Sequence, residues 1–379
     1  MANSFPTATD SRASSPVPLD VEVVQQVVDQ MSSHSGVPGG ITHVWDASAG
    51  YFPFVTGTAD LSTGEPMTPD LNGRMGGSTM TFVAVVALQL VRDGALSLDH
   101  PVSRYLPGMI PWGDQITVRN LLNQTSGIED YLGLARFADP DLYFGEGERW
   151  NTYTPEQLLA LGVDEGQAAP VGTWHFSYTD FVALGLIIEK VTGDTIQNQV
   201  TTRIIEPLSL SRTVFPTDGT AIPFPHAKGY LRLSDGRHVD ATELNPTLEW
   251  AARGLISNVA DLVGFFRGLF VDHRLLAPEE LALMLDFTPV YAPGPGGGGP
   301  QIGVAQGLGV ISVTWPGGVT SYGTFGSLMH SYDSLVHVSA DRSRVVATMV
   351  NQYVNDATQG PVLLPTVLAA MCGIQSFPN

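Results

Sequence analysis

The sequence predicts an α/β fold of the α+β type: an antiparallel sheet flanked by N- and C-terminal helices, with a mostly helical region inserted between its halves. Three observations lead there. The chain opens with a helix and a hairpin, closes with paired β-rich runs and a helix, and carries helical periodicity between the two. No internal repeat of about 20 to 50 residues points to a solenoid instead.

Taken in order, Met1 to Pro18 is rich in Ser, Ala, Thr and Pro, with neither a basic start nor an apolar run, and reads as a disordered tail without a secretory signal. Asp20 can cap a helix whose apolar positions Val21, Val24, Val27, Val28 and Met31 recur at helical spacing. Ile41 to Asp46 and Tyr51 to Thr58 are β-branched and aromatic, and the Ala-Ser-Ala-Gly between them reads as a hairpin turn. From Thr81 to Arg92 apolar residues cover nearly the whole helical circumference before Gly94, so this helix should be central and buried.

Shorter helices are predicted at Val118 to Leu122, Pro155 to Leu161 and Phe181 to Thr192. Extended patterns return at Gly307 to Val313, Ser334 to Ser339 and Arg344 to Asn351, and Val362 to Met371 reads as a closing helix. The expected units are residues 19–75 with 250–379 as the sheet region and 76–249 as the helical region, the cleft lying between them. The run P-G-P-G-G-G-G-P from Pro293 to Pro300 reads as a mobile surface loop, since a phosphate loop would need a nearby lysine.

Composition narrows the function. Eighteen Lys and Arg against thirty-seven Asp and Glu give a net charge of −19, which repels a phosphate backbone and argues against a nucleic-acid partner. No stretch approaches the ~18 apolar residues of a membrane span. The single cysteine, Cys372, excludes an internal disulfide or a multi-cysteine metal site, and the nine histidines show no ligand spacing. No metal or cofactor is expected, and the cytoplasm is the expected compartment. Only Lys190 and Lys228 are lysines; the first reads as a solvated helix face and the second as a strand or loop far from the cleft.

The stretch Gly73 to Gly108 (G-R-M-G-G-S-T-M-T-F-V-A-V-V-A-L-Q-L-V-R-D-G-A-L-S-L-D-H-P-V-S-R-Y-L-P-G) resembles the penicillin-recognising serine hydrolases: class C β-lactamases, D-Ala-D-Ala carboxypeptidases and related esterases. Further similarity lies in Ile116 to Tyr131, Thr154 to Leu159, Phe176 to Gly193 and Ala251 to Ser257. The resemblance implies a β-lactamase/transpeptidase-like fold. It also implies a serine and a lysine one turn apart at the start of the buried helix, a Y-x-N motif, and an H-x-G or K-T-G strand.

This sequence departs from each motif. Aligning R-M-G-G-S-T-M-T-F with the family's R-I-G-S-x-T-K-x-F puts Gly77 at the serine and Met80 at the lysine. Sliding the frame by one makes Ser78 a nucleophile but leaves Thr81 as its partner, which is no base near neutral pH. The Y-x-N counterpart is Tyr178-Thr179-Asp180. There Tyr178 is expected as a protonated acid or hydrogen-bond donor, and Asp180 either as a helix cap or as a carboxylate base that makes the pocket anionic.

Thr324-Phe325-Gly326 aligns with the strand motif, and a shift of one or two residues brings Tyr322 to the wall. Gln124, Glu129, Trp174 and His175 complete the expected substrate-binding set. Turn chemistry is the simpler account of Glu129 and Asp130, and His330 reads as a surface residue at a strand end.

Three functions fit. A repurposed pocket performs acid/base chemistry on a small molecule (cyclisation, condensation, elimination or isomerisation), its anionic character suiting a cationic or amine-derived substrate in specialised-metabolite biosynthesis. Alternatively a displaced nucleophile such as Ser78 supports hydrolysis or acyl transfer, or the fold survives as a non-catalytic binding protein.

Overall fold

The computed structural model describes residues 15–33, 36–145, 147–233, 235–291, 303–328, 330–353 and 362–374. The glycine-rich run Pro293 to Pro300 and the tail through residue 14 lie outside these. A nine-stranded antiparallel sheet is built from β1 (Gly39–Asp46), β2 (Gly50–Asp60), β3 (Glu65–Pro66), β4 (Thr288–Tyr291), β5 (Gly303–Gln306), β6 (Ile311–Thr314), β7 (Thr320–Leu328), β8 (Tyr332–Ser339) and β9 (Arg344–Val350). Its order is β3-β2-β1-β9-β8-β7-β6-β5-β4, so the first and last thirds of the chain meet where β1 pairs with β9.

The principal helices are α1 (Val21–Ser33), α2 (Thr79–Arg92), α3 (Val118–Leu122), α4 (Pro155–Asp164), α5 (Tyr178–Thr192), α6 (Val259–Phe266) and α7 (Leu364–Cys372). Strand β9 is buried along its whole length, and its alternating residues go to opposite faces. Val346 and Val350 join Val24, Val28 and Met31 of α1 and Val367 and Leu368 of α7, whereas Val345, Ala347 and Met349 join α2 and α6. Twelve of the fourteen residues of α2, Thr79 to Leu90, are buried, as its all-round apolar pattern predicts.

The expected antiparallel sheet with flanking helices is present. One predicted strand divides: Gly307 to Val313 is the turn 307–310 plus the start of β6, because Gly307 and Gly309 pack their backbones against Met284 and α2. The stretch read as a disordered tail, Met1 to Pro18, is not loose to its end, because Val17 within it is tied to the closing helix and to β9. The Val17 N–H donates to the Met371 carbonyl (3.1 Å), and the Val17 carbonyl accepts from Arg344 Nη1 (2.8 Å). Segment 226–242 runs beside the sheet, with bonds from Lys228 N–H to the Ala59 carbonyl and from Tyr230 N–H to the Asn351 carbonyl. Lys228 pairs there with Asp60 (3.3 Å) and Asp240 (3.4 Å). No helix among the described residues is long and apolar enough to cross a membrane.

Arg344 closes the seam between the chain ends. Its guanidinium pairs with Asp46 at 2.6 Å, both side chains 4 % exposed, and also donates to the Ala370 carbonyl. Burial opposes ionisation of Asp46, but hydrogen bonds from Ser48, Arg344 and two backbone N–H groups outweigh it and hold the carboxyl at about 2. A carboxyl depressed on folding contributes stability above its unfolded pKa and loses it as pH falls through the folded one. Stability should therefore drop between about pH 4 and pH 2, and Asp46→Asn should remove about 3–5 kcal/mol at neutral pH, read by denaturant melts.

Candidate active site

The residues of the candidate site converge where the turn before α2 meets β7. Gly76 has φ +50, a left-handed conformation that favours glycine, and a Cβ there would run into the Ser327 carbonyl. Gly326 brings β7 equally close from the other side: a Cβ would meet the Met75 carbonyl, Ser334 Oγ and Ser78 Oγ. Between them, a Cβ on Gly77 would lie 2.9 Å from the Phe325 carbonyl oxygen, 3.2 Å from the Tyr178 hydroxyl and 3.4 Å from Met80 Cε. Gly77 is thus a notch with Tyr178 over it and no room for a side chain unless the β7 backbone moves.

Tyr178 begins α5, and its N–H donates to Asp130 Oδ1 (3.2 Å). Phe176 packs edge-on against its ring (4.8 Å), and the Arg253 guanidinium lies over that ring at 5.0 Å. Arg253 is itself buried and paired with Glu249 at 2.6 Å. Among the described residues the Tyr178 hydroxyl has no hydrogen-bond partner. Burial, the largest influence, pushes its pKa well above the usual phenol range, with Arg253 pulling the other way. The phenol is therefore a proton donor at every physiological pH.

Asp180 does not fill either role expected of it. The residue flanking α5 is Ser177, and Asp180 sits inside the first turn, fully buried, accepting a hydrogen bond from Ser126 Oγ. Burial drives its pKa well above the carboxylate range, while the Ser126 bond works against this. It does not line the cavity either. Buried and outside the cavity lining, Asp180 is not placed to serve the cavity as a base or to give it the negative charge on which the expected cationic substrate rested.

The cavity beside this notch has a volume of about 300 Å³. Met80 and Phe181 line it from the helices, Val290, Val304, Gln306, Val310 and Ile311 from β4 to β6 and the turn before β6, and Thr324 from β7. Trp174, Phe176 and Phe325 also line it and are 39 %, 37 % and 43 % exposed, which puts three aromatic rings at its mouth. Gln124 supplies a polar point in the wall, and Gly309 a bare stretch of backbone.

Of the expected binding residues, Met80, Gln124, Trp174, Thr324 and Phe325 line this cavity and Gly77 adjoins it through Met80. The others do not. Ser78 is fully buried and faces Ser334 Oγ at 3.2 Å, so it is turned into the β8 junction. Gly326 serves close packing. Tyr322 stacks on Phe287 (5.4 Å) beside Phe270, because its place in β7 turns it toward the apolar layer. His175 and Glu129 face one another at 3.5 Å, and Glu129 also offers its carbonyl to Ser177 and Thr179. His330 is 3 % exposed rather than on the surface: it adopts φ +77, bonds the Phe137 carbonyl through Nε2 and packs against Tyr143.

Sequence reasoning missed Arg253, although it lies in the matched A-A-R-G-L-I-S stretch. It also missed Phe176, Phe181 and the lining from β4 to β6. Phe176 lies two positions after the expected Trp174 and opens the similar stretch Phe176 to Gly193; the strand residues carried no local signal.

The β-lactamase family model matches residues 24–363. The chain belongs to the β-lactamase family. It is 28 % identical over 217 residues to the putative penicillin-binding protein PbpX of Bacillus subtilis, covering 57 % of this chain and 50 % of that protein. To esterase EstB of Burkholderia gladioli it is 30 % identical over 199 residues, 49 % of this chain and 50 % of that one. The chain thus spans about half the length of these curated relatives. A D-stereospecific amidohydrolase from Streptomyces sp. superposes with TM-score 0.82 at 32 % identity, covering 94 % of this chain and 99 % of that one. The D-amino acid amidase of Ochrobactrum anthropi SV3 gives 0.78 at 25 % identity, with the same coverage. These β-lactamase-fold relatives are hydrolases.

Two outcomes test the geometry. Gly77→Ser should cost about 1–3 kcal/mol in denaturant melts, because β7 must retreat from the added Cβ. A carboxyl raised on folding, such as Asp180, loses its stabilising contribution as pH rises through the folded pKa. Asp180→Asn should accordingly melt higher than the parent at pH 8 and alike at pH 4.

Proposed function

We propose that this β-lactamase family member works without an acyl-enzyme: Gly77 and Met80 stand where the family carries its serine and lysine, and the protonated Tyr178 acts on a small molecule seated in the adjoining cavity. The observation that carries this reading is the 2.9 Å from a Gly77 Cβ to the Phe325 carbonyl. The Tyr178 hydroxyl lies over the backbone of a position that has lost both the nucleophile and the volume for one.

A nucleophilic route needs an exposed hydroxyl with a base in reach. Ser78 offers neither, being buried against Ser334. What remains is a hydrogen-bond donor beside a largely apolar chamber, which suits reactions that gain from polarising one oxygen or nitrogen and from excluding water. Cyclisation, condensation, elimination and isomerisation of a small biosynthetic molecule are of this kind. The Arg253 guanidinium over the Tyr178 ring stabilises negative charge developing on the phenol oxygen as its proton moves toward the substrate.

Intact-mass spectrometry after incubation with a fluorophosphonate and with a penicillin should show no adduct. An adduct on Ser78 or on any hydroxyl side chain would sink the reading and favour the hydrolase alternative suggested by the esterase and amidase relatives. Once a substrate is in hand, Tyr178→Phe should lower kcat by about 10²–10⁴-fold. Because burial raises the Tyr178 pKa, the parent's rate should show no loss from its ionisation between pH 6 and 9.

A further inference from the structure

The cavity walls specify more than size. No charged side chain lines it among the described residues, and its polar lining reduces to Gln124, Gln306 and Thr324. The Gln306 amide is already committed, donating to the carbonyls of Gly307 (2.9 Å) and Val310 (3.3 Å). Thr324 Oγ1 reaches only the Phe325 carbonyl, at 3.5 Å.

Gln124 differs from both. It is 2 % exposed and holds φ +61, a conformation uncommon outside glycine. Its carbonyl accepts from the His175 N–H (2.9 Å) and its side-chain Oε1 from the Ser177 N–H (2.5 Å). These two bonds fasten the Trp174–Phe176 rim to the wall and fix which way the amide faces. Its Nε2 is buried and has no acceptor in reach among the described residues. A buried donor without a partner is costly and is kept only where something else satisfies it.

We propose that the cavity takes an uncharged, largely apolar molecule, aromatic or alicyclic, and that a carbonyl oxygen of that molecule accepts the hydrogen bond from Gln124 Nε2. The part-exposed Trp174 and Phe176 rings flank its apolar body at the mouth. A carboxylate or an ammonium would enter without a counter-ion and lose its hydration, so both are disfavoured. The aromatic mouth adds flat contact area at little entropic cost. This inference rests on the proposed function only in taking the cavity as the substrate's seat.

Binding of naphthylacetamide, naphthylacetate, naphthylmethylammonium and naphthalene to the full chain, followed by isothermal titration calorimetry, tests it. The acetamide should bind at least about tenfold tighter than either ion. Gln124→Met should weaken the acetamide about tenfold and leave naphthalene unchanged. If that variant melts below the assay temperature, Gln124→Glu, which keeps an acceptor for the Ser177 N–H, should reverse the order in favour of the ammonium.

Equal or tighter binding of an ion by the parent chain, an unchanged acetamide affinity in the tested Gln124 variant, or no binding of either neutral probe overturns the proposal. The measurement involves neither turnover nor Tyr178. Its failure therefore leaves the non-acylating reading standing, whereas a covalent adduct in the labelling experiment removes that reading and leaves the ligand class untouched.

Discussion

The approach of the β7 backbone to the turn before α2 is the constraint on which the site depends. Three glycines make it possible. Gly76 supplies a left-handed turn, Gly326 lets the strand come in against Met75, and Gly77 lies under the Phe325 carbonyl with no side chain to hold it away. Close packing of this sort leaves little slack, since interiors pack nearly as densely as organic crystals and a single extra carbon must displace something. The seam therefore sets where α2 begins, which way Ser78 turns and what Tyr178 faces.

From that seam follows an inversion of polarity in the cleft. Met80 contributes a flexible apolar chain, and charged groups near the site lie inside the protein: Arg253 pairs with Glu249 against the Tyr178 ring, and Asp180 is buried with Ser126 bonded to it. What opens to the cavity is hydrocarbon, aromatic rings and a few neutral polar groups. In such surroundings a single hydrogen bond is worth more than at a wet surface, and an unmatched one costs more. In the proposed reading Tyr178 and Gln124 use that difference, the first beside Gly77 and the second within the wall.

The sheet serves this arrangement from a distance. Strand β9 is buried on both faces and ties α1 and α7 on one side to α2 and α6 on the other. The Arg344–Asp46 pair then locks the two ends of the chain across the β1–β9 junction. The Gly76–Gly77 turn packs against the sheet held together in this way.

Much of the fold was legible in the amino-acid order because it is written in local periodicity. The apolar circumference of α2, the spacing of Val24, Val28 and Met31, and the β-branched runs of β1, β2 and β9 each report a face that must be buried. The motif spacing likewise brought Gly77, Met80 and Tyr178 into question together. Tertiary structure alone decided what those residues can do. The exclusion of Asp180 from water is something no neighbour in sequence reveals, and Ser78 is turned inward against Ser334, 256 positions away. Residues on β4 to β6 enter the cavity because the sheet order carries them there, and Arg253 reaches Tyr178 across a helix packing that only the folded chain creates. Periodicity is a property of one segment; proximity and dielectric are properties of several segments at once, and they govern the chemistry.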